Sequence, residues 1–342
     1  MITVPVNASN NYNIYIDSGL LKTSGEIIEA AAGGERAFLI TDSNVDDYYG
    51  DVVAKSLGLA GYEVIKHVFP AGEESKNINT LSGILSHMAS AHISRKDVAV
   101  ALGGGVVGDM AGFASAVYMR GIKYVQLPTT VLSAVDSSVG GKTAVDLPEG
   151  KNLAGAFHQP SAVICDTATF NTLSERDFNN GFAEVIKYAV IADGGLFPML
   201  KESNIDEIIK RCVEIKAEIV GEDEFESGRR QVLNFGHSIG HAYEKLSDYE
   251  LLHGEAVACG MVKITEIAEK RGLCSPELTE LLKNALKGFN LPLYADYSPQ
   301  ETVRVMKMDK KASGDYINLI LPLKAGEVVI EKTEIRRFED EL

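Results

Sequence analysis

Hydrophobic and polar positions follow different patterns in the two halves of the chain. Up to about residue 170, short apolar runs of strand type alternate with stretches of helical spacing, and the runs cover residues 36–41, 63–69, 97–102 and 123–127. Residues 2–6 and 13–16 alternate on either side of an Asn/Ser-rich run, which predicts a hairpin. Strands that alternate with helices predict a mostly parallel sheet with helices on both faces.

The second half has a helical pattern almost throughout. Apolar residues at three- and four-residue spacing predict helices at 175–192, 205–220, 237–246, 255–271 and 276–287. A short strand pair is expected at residues 316–321 and 327–330. The predicted fold is therefore α/β, with a Rossmann-like, mostly parallel sheet domain at residues 1–170 and a mainly helical domain at residues 171–342.

Length and charge narrow the classes of function. A chain of 342 residues exceeds the size at which a single core stops growing, which agrees with two domains. With 45% hydrophobic and 24% charged residues it has a globular composition, not a disordered or fibrous one. The formal net charge of −15 argues against nucleic acid and anionic membranes as partners.

Cysteine usage and the N-terminal residues predict a cytoplasmic protein. Residues 1–10 contain no basic stretch followed by an apolar run, so no signal peptide is expected. The apolar region 98–119 is interrupted by glycines and Asp109, which argues against a membrane span. No C-x-x-C pair occurs among Cys165, Cys212, Cys259 and Cys274.

A glycine-rich turn follows the strand run that ends at Leu102. Residues 103–108 read GGGVVG, which satisfies G-x-G-x-x-G between a predicted strand and a predicted helix. Such a turn brings backbone N–H groups close to a pyrophosphate, although the same glycines also allow tight packing. The turn belongs to a late strand, and no acidic residue between Asp109 and Asp136 is available to hold a ribose.

Other turns at strand ends carry polar groups that suit a bound ligand. Asp42 and Asn44 follow one strand, Glu73 and Lys76 precede a helix, and a Thr129-Thr130 pair follows another strand. Each of these turns can also be read as a helix N-cap. Their placement at one edge of a parallel sheet favours a shared ligand, because ligands bind beyond the carboxyl ends of such strands.

The segment 138–143, SVGGKT, resembles the end of a phosphate-binding Walker A loop. The full pattern requires glycine where Asp136 stands, so an ATPase is not predicted. Lys142 nevertheless remains a suitable donor to a phosphate group. In so acidic a chain, an anionic substrate needs local cations, and the candidates beside glycines or in polar turns are Arg120, Lys142, Lys151, Lys216, Arg230, Lys310 and Lys311.

Three histidines lie close together in the second half of the chain. Spacing alone favours His237 and His241, four residues apart on one helical face, as a metal-binding pair. His253 begins a later helix, and Glu184 lies in an apolar helix three residues before Lys187. A buried Glu–Lys pair beside a surface histidine cluster is an equally good interpretation of these residues. The remaining histidines, His67, His87, His92 and His158, are expected to be structural.

Taken together in order, these motifs resemble the 3-dehydroquinate synthase family. The similarity extends from about Asp42 to Lys311 and rests mainly on the block LNFGHSIGHA at residues 233–242, with HGE at residues 253–255. It also includes GVVGD at 105–109, PTT at 128–130, DSSVGGKTAVD at 136–146, a Lys151-Asn152 pair, and Glu184 with Lys187. The set is specific, whereas no single motif is.

The resemblance implies a lyase of the shikimate pathway and of aromatic amino acid biosynthesis. This family converts the sugar acid phosphate 3-deoxy-D-arabino-heptulosonate 7-phosphate to 3-dehydroquinate and phosphate. It uses NAD, which is not consumed, and one divalent metal ion, zinc or cobalt. The reaction proceeds by transient oxidation at C5, phosphate elimination, re-reduction and aldol ring closure.

The resemblance also assigns site residues. It places the metal on Glu184, His237 and His253, so His241 becomes a site residue and the choice made from spacing alone is overruled. The implied NAD-binding residues are Asp42, Asn44, Glu73, Lys76, Gly104, Gly105, Val106, Val107, Gly108, Asp109, Thr129, Thr130, Lys142, Lys151, Thr169, Phe170, Asn171 and Thr172. The implied substrate-binding residues are Arg120, Lys142, Asn152, Lys187, Lys216, Arg230, Asn234, His241 and Lys310. The implied catalytic residues are Asp136, Lys142, Lys187, Asn234 and His241.

Family resemblance further implies a homodimer in which Arg120 reaches a phosphate across the interface. Two alternative functions stay open. One is an NAD-dependent metal polyol dehydrogenase, which the many candidate anion-binding cations argue against. The other is a sister sugar phosphate cyclase whose substrate lacks a carboxylate, which Lys216 and Arg230 argue against because they suit a carboxylate partner.

Overall fold

The structure, a computed structural model, describes residues 1–201, 204–309 and 315–342. Its strands are β1 (Ile2–Val6), β2 (Tyr12–Asp17), β3 (Arg36–Asp42), β4 (Glu63–Phe69), β5 (Val98–Gly103), β6 (Lys123–Pro128), β7 (Lys142–Leu147), β8 (Gly150–Phe157), β9 (Ala162–Asp166), β10 (Tyr316–Lys324) and β11 (Glu327–Glu334). Its α-helices are α1 (Ser24–Ala32), α2 (Ser43–Val45), α3 (Asp51–Leu59), α4 (Ile78–Ser90), α5 (Gly105–Val117), α6 (Glu175–Ile191), α7 (Leu196–Met199), α8 (Ile205–Glu222), α9 (His237–Leu246), α10 (His253–Lys270), α11 (Pro276–Gly288), α12 (Pro299–Asp309) and α13 (Ile335–Glu341).

The chain forms two compact units, which we call the first and the second unit. The first unit comprises Met1–Leu173 and Ile205–Phe225, and the second comprises Ser174–Asn204 and Glu226–Leu342. A division of the sequence at residue 170 does not place α8 in the first unit, where it packs against β1 and β2. The first unit is therefore built from two separate stretches of the chain.

A seven-stranded sheet lies at the centre of the first unit, in the order β1-β2-β9-β6-β5-β3-β4. The pairs from β2 to β4 are parallel, and β1 is antiparallel to β2. The predicted mostly parallel sheet and the N-terminal hairpin are both confirmed. At the carboxyl end of β5, Gly103 pairs with Pro128 of β6, which brings the turns that follow these strands to one edge.

Alternate residues of the central strands face opposite sides of this sheet. Phe38 and Ile40 of β3 pack with buried residues of α4 and α5, whereas Leu39 packs with buried residues of α1 and α3. Continuous apolar runs without a polar face are typical of parallel strands that are buried on both sides. The sheet is thereby covered by helices on both faces, as the sequence pattern predicts.

Two strand features of the first unit were not predicted from the sequence. The short apolar run Ala162–Asp166 forms β9, which lies between β2 and β6. The segment that resembles a Walker A loop instead leads into an antiparallel hairpin of β7 and β8, in which Lys142 begins β7. Gly155 allows this pairing, because a Cβ there would lie 2.1 Å from the Thr143 carbonyl oxygen.

The described part of the second unit is mainly helical, with the predicted β10–β11 pair forming an antiparallel hairpin. Helix α10 packs against α6, α9 and α11. Glycines bring α9 and α10 close together, since a Cβ on Gly260 would lie 2.1 Å from the Gly236 carbonyl oxygen. The histidines that begin these two helices, His237 and His253, are therefore neighbours. No helix in the described ranges has the length and apolar character required to span a bilayer.

Candidate active site

The glycine-rich turn of the first unit joins β5 to α5. Gly104 is the residue before the helix, and no side chain caps the first turn of α5 among the described residues. The N–H groups of the first turn of a helix have no partner within the helix, and they carry partial positive charge. Val106 and Val107 follow Gly105 in this turn. The N-terminus of α5 therefore suits an anionic group such as a phosphate.

Close packing also explains two glycines of this motif. A Cβ on Gly103 would lie 2.5 Å from a methyl group of Val107, and a Cβ on Gly108 would lie 2.6 Å from Gln126 Oε1 on β6. Both distances are shorter than van der Waals contact. The packing explanation and the phosphate explanation thus apply to different glycines of one motif.

Five polar residues predicted to bind ligands lie together at the β7–β8 hairpin. Lys76 Nζ lies 2.6 Å from Asp109 Oδ2 and 2.6 Å from Asn152 Oδ1. Lys151 Nζ lies 3.2 Å from Glu73 Oε1. The backbone of Asn152, which has a left-handed φ of 55°, donates a hydrogen bond to Asp146 Oδ1 at 2.7 Å.

The buried pair of Lys76 and Asp109 is best described as an ion pair. Burial alone would lower the pKa of Lys76, but the carboxylates of Asp109, Glu73 and Asp146 outweigh it and raise the pKa. Burial also raises the pKa of Asp109, against the opposing effect of Lys76. The raised pKa of Lys76 favours a charged ammonium group, whereas the raised pKa of Asp109 favours a neutral carboxyl group. The 2.6 Å distance between Lys76 Nζ and Asp109 Oδ2 supports the ionised pair, since an ammonium group donates a short charge-assisted hydrogen bond to a carboxylate.

The other predicted cofactor residues lie in turns of the first unit. Asp42 Oδ1 accepts hydrogen bonds from the backbone of Asn44 and Val45 and so caps α2. The Thr129 backbone donates to the Gly103 carbonyl, and the Thr130 hydroxyl lies 2.8 Å from Ser133 Oγ. Residues Thr167–Thr172 form a 3₁₀ turn that includes Thr169, Phe170 and Asn171. The hydroxyl of Thr172 in this turn lies 2.7 Å from Tyr49 Oη.

Predicted substrate residues of the first unit occupy different settings. Lys216 of α8 is buried, and its Nζ lies 2.5 Å from Asp136 Oδ1 and 2.6 Å from the Asp136 carbonyl oxygen. Lys142 is exposed at the start of β7. Arg120 is exposed in a short 3₁₀ turn after α5, with a left-handed φ of 67°.

The predicted metal ligands of the second unit are adjacent in space. Glu184 of α6 is fully buried, and Lys187, one turn later on the same helix, forms an ion pair with its Oε2 atom. Nε2 of His237 and Nε2 of His253 each lie 3.4 Å from Glu184 Oε1. One ligand atom from each of these three residues falls within 4.8 Å of the others.

Both histidines present the same nitrogen to Glu184. The Nδ1 atom of His237 lies 3.0 Å from the Phe235 carbonyl oxygen, and the Nδ1 atom of His253 lies 3.4 Å from Glu244 Oε2. An acceptor at Nδ1 keeps a ring proton there, so Nε2 is the nitrogen that would donate its lone pair to a metal ion. The arrangement is the one expected of two metal-binding imidazoles.

Charge at this cluster is dominated by carboxylates and their cationic neighbours. Burial would raise the pKa of Glu184, but Lys187 and His237 reverse this effect and hold the pKa well below the ordinary value. Burial would lower the pKa of His253, but hydrogen bonds to Glu184 and Glu244 raise it to about 10. The Glu184 carboxyl is thus ionised, which suits a cation bound between the three side chains.

These residues fit a divalent metal ion such as zinc. One carboxylate and two imidazole nitrogens are a ligand set that zinc takes in catalytic sites. Both Glu184 oxygens are buried; Oε2 is paired with Lys187, whereas the two imidazole nitrogens approach Oε1 only at 3.4 Å, which is long for a hydrogen bond. A cation between Oε1 and the two imidazoles would give this buried oxygen a closer partner.

The spacing-based pair of His237 and His241 is not brought into one ligand group. The His237 and His241 rings lie 5.5 Å apart at nearly a right angle, and His241 belongs instead to a second group with Glu244 and His253.

The predicted substrate residues of the second unit differ in exposure. His241 is exposed, whereas Arg230 is buried. Asn234 Nδ2 donates to Glu226 Oε1 at 2.7 Å. Lys310 and Lys311 lie outside the described residues.

Sequence reasoning missed the residues that support the predicted ones. Glu244, Asp146 and the Phe235 carbonyl each contact a predicted ligand or binding residue. Glu244 had a signal, because it lies three residues after His241 and so on the same face of α9. A backbone carbonyl gives no such signal, since any residue supplies one.

Comparisons with known proteins show which family this chain resembles. A family model described as 3-dehydroquinate synthase N-terminal matches residues 66–180, and one described as 3-dehydroquinate synthase C-terminal matches residues 181–312. The 3-dehydroquinate synthase of Clostridium acetobutylicum is 46% identical over 335 residues, which cover 95% of this chain and 94% of that protein.

Solved structures of two sugar phosphate cyclases are also similar. A 2-epi-5-epi-valiolone synthase from Streptomyces hygroscopicus, with NAD+ and Zn2+ bound, has a TM-score of 0.88 at 27% identity and covers 100% of this chain and 98% of its own. A 2-deoxy-scyllo-inosose synthase, complexed with carbaglucose-6-phosphate, NAD+ and Co2+, has a TM-score of 0.86 at 25% identity and covers 99% of each chain. Full-length identity to curated members and the match to both family models show that this chain belongs to the 3-dehydroquinate synthase family.

Proposed function

We propose that the protein converts 3-deoxy-D-arabino-heptulosonate 7-phosphate to 3-dehydroquinate and phosphate with NAD and one divalent metal ion. The observation that carries the metal dependence is the buried Glu184 carboxylate, which faces Nε2 of both His237 and His253. The chemistry that these groups supply when bound is reversible oxidation at the substrate C5 and polarisation of the neighbouring oxygen atoms.

In this proposal the ligand set of the second unit leaves the ion with positive charge. Glu184 contributes one negative charge, and the imidazoles of His237 and His253 bind as neutral donors. Lys187 keeps Glu184 ionised through the buried ion pair. The site therefore holds a divalent ion with a net charge of about +1, which favours binding of substrate oxygens that carry negative charge.

The first unit is proposed to bind NAD at the N-terminus of α5. Backbone N–H groups of Gly105, Val106 and Val107 suit the pyrophosphate, and Asp42 and Asn44 at the end of β3 are assigned to the same cofactor. Glu73, Lys76, Asp109 and Lys151 are assigned with them, because Lys76 pairs with Asp109 of α5 itself and Lys151 of β8 pairs with Glu73. Thr129, Thr130, Lys142 and Thr169–Thr172 complete the proposed cofactor set.

Cationic and amide side chains are proposed to hold the anionic substrate. Lys142, Asn152, Lys187 and Arg120 suit the phosphate, which is expelled after the proton at C6 is lost. Lys216 and Arg230 suit the carboxylate, and Arg230 offers a bidentate fork. Asp136 orients Lys216 through the 2.5 Å contact, and Asn234 and His241 are assigned to the sugar hydroxyls.

We also propose that the protein forms a homodimer. A measurement of its native mass tests this.

Phosphate release under limiting NAD tests the proposal. With 3-deoxy-D-arabino-heptulosonate 7-phosphate and a trace of NAD, we expect many phosphates per NAD, loss of activity with a chelator, and recovery with zinc or cobalt. NADH that accumulates from polyols without phosphate release would favour the dehydrogenase alternative. Turnover of glucose 6-phosphate instead, a sugar phosphate without a carboxylate, would favour a sister cyclase and withdraw the roles of Lys216 and Arg230.

A further inference from the structure

Glu244 lies beside the proposed metal ligand His253. It is on α9, seven residues and so about two helical turns after His237. Its side chain is buried, and its Oε2 atom lies 3.4 Å from His253 Nδ1. A buried carboxylate needs a charged or hydrogen-bonding partner, and the His253 ring supplies one.

The two metal-binding histidines differ in what their outer nitrogens contact. His237 donates from Nδ1 to the backbone carbonyl of Phe235, which is neutral. The His253 ring lies between two carboxylates, with Nε2 3.4 Å from Glu184 and Nδ1 3.4 Å from Glu244. A carboxylate at Nδ1 increases the electron density at Nε2 more than a neutral carbonyl does.

Glu244 and His253 are held by different helices that cannot easily separate. A Cβ on Gly240 would lie 3.0 Å from the Val257 Cα atom, so α9 and α10 are in close backbone contact. Glu244 is one turn after Gly240 on α9, and His253 is one turn before Val257 on α10. The fold therefore fixes the carboxylate against the ring.

We propose that Glu244 is a positioning residue that fixes the His253 ring and strengthens its Nε2 atom as a metal ligand. The inference rests on the proposed metal site and adds a residue that acts through a ligand. With Glu244 present, the Nδ1 proton of His253 is donated to a carboxylate, and Nε2 is the nitrogen that would bind the metal ion. The charge of Glu244 also favours retention of a cation on the far side of the ring.

Three variants test this role by metal affinity. Glu244→Gln keeps an oxygen acceptor and removes the charge, whereas Glu244→Ala removes both. Glu266→Gln is the matched control, because Glu266 is on α10, the helix that His253 begins, and is also an ion-paired carboxylate, with Lys283 Nζ 2.9 Å away. Glu266 is not part of the metal cluster. Each purified variant is stripped of metal and titrated with Co²⁺ against a competing chelator, with the visible absorption spectrum recorded.

Loss of an outer-sphere partner of this kind weakens metal affinity by about 10–100-fold. We expect the dissociation constant for Co²⁺ to rise by about 10-fold in Glu244→Gln and by about 100-fold in Glu244→Ala, and to stay unchanged in Glu266→Gln. The midpoint of thermal unfolding of the metal-free proteins is measured in parallel. A merely structural role of Glu244 would lower this midpoint and leave the dissociation constant for Co²⁺ unchanged.

The possible outcomes separate this inference from the proposed function. Unchanged Co²⁺ affinity in both Glu244 variants would overturn the inference and leave the metal site intact. A Co²⁺ spectrum that loses a ligand in Glu244→Gln would mean that Glu244 binds the metal itself, which also overturns a positioning role. Failure of the unaltered protein to bind Co²⁺ would overturn the proposed metal site and the inference together.

Discussion

Lys187 follows Glu184 by one turn of α6, and its ammonium group contacts the Glu184 carboxylate inside the protein. Both side chains are almost completely excluded from solvent. Spacing of three residues places them on one face of the helix, so the pair is specified by a single segment of sequence. The same carboxylate faces His237 and His253, and it therefore links the ion pair to the proposed metal site.

Removal of Glu184 is expected to destabilise the metal-free protein. Glu184→Gln leaves the Lys187 ammonium without its buried carboxylate, and breaking a buried ion pair costs about 3–5 kcal/mol of unfolding free energy. The double variant Glu184→Gln/Lys187→Met is expected to lose less than the sum of the single variants, because the two residues are in contact. Urea unfolding of the four proteins with a chelator present measures this, and additive losses would contradict the coupling.

Gly260 is expected to tolerate no side chain at the crossing of α9 and α10. The added methyl group of Gly260→Ala would overlap the Gly236 carbonyl oxygen, so we expect a loss of about 1–3 kcal/mol and weaker metal binding. Gly83 on the exposed face of α4 is the control, since nothing lies within 4 Å of its Cβ position. Gly83→Ala is expected to stabilise by about 0.5–1 kcal/mol. Thermal unfolding measures both, and equal effects of the two variants would contradict the packing argument.

Lys76 is expected to stabilise the first unit far more than an exposed lysine does. Lys76→Met leaves Asp109 largely buried without its ammonium partner, and we expect a loss of about 3 kcal/mol. Lys66 pairs with Asp46 at 2.8 Å, but both side chains are partly exposed, so Lys66→Met is expected to cost less than about 1 kcal/mol. The midpoints of urea unfolding compare the two, and a smaller loss in Lys76→Met would contradict the assignment of a buried ion pair.

Asp97 is expected to make stability depend on pH in the acid range. Burial would raise the pKa of its carboxyl, but hydrogen bonds from the backbone of Ser94 and Arg36 outweigh burial and lower the pKa. A carboxyl whose pKa is lowered by folding stabilises the protein above its unfolded-state pKa, and this contribution is lost as the pH falls through the folded-state pKa. The cost of Asp97→Asn is therefore expected to be largest at neutral pH and to shrink as the pH falls below about 3.9, the ordinary pKa of an aspartate side chain. Urea unfolding across that range measures it, and a cost independent of pH would contradict the shift.

Sequence patterns predicted the sheet and most helices because their signals are local. The buried run of β3 and the three- and four-residue spacing of α6 each identify an element without reference to the rest of the chain. Strand β9 was missed because a five-residue apolar run has little periodicity, and its place between β2 and β6 depends on partners far away in sequence. The placement of α8 in the first unit is likewise a tertiary property.

Some parts of the candidate site could likewise be predicted from local sequence patterns, whereas others depend on tertiary contacts. Glu184 and Lys187 are recognisable as a pair from spacing, and the pairing of Asp42 with the first turn of α2 follows from cap preferences. Spacing favoured His237 with His241, whereas the structure brings His237 together with His253. That juxtaposition depends on the close approach of α9 and α10, which no local pattern of charges or apolar residues encodes.

Metal content of two variants tests the central claim, that Glu184, His237 and His253 hold the metal ion. The unaltered protein, Glu184→Gln and His241→Asn are purified with zinc present, and bound zinc per chain is measured by mass spectrometry. We expect about one zinc ion per chain in the unaltered protein and in His241→Asn, and almost none in Glu184→Gln. Zinc that is retained in Glu184→Gln and lost in His241→Asn would contradict the claim and assign the ion to His241, Glu244 and His253 instead.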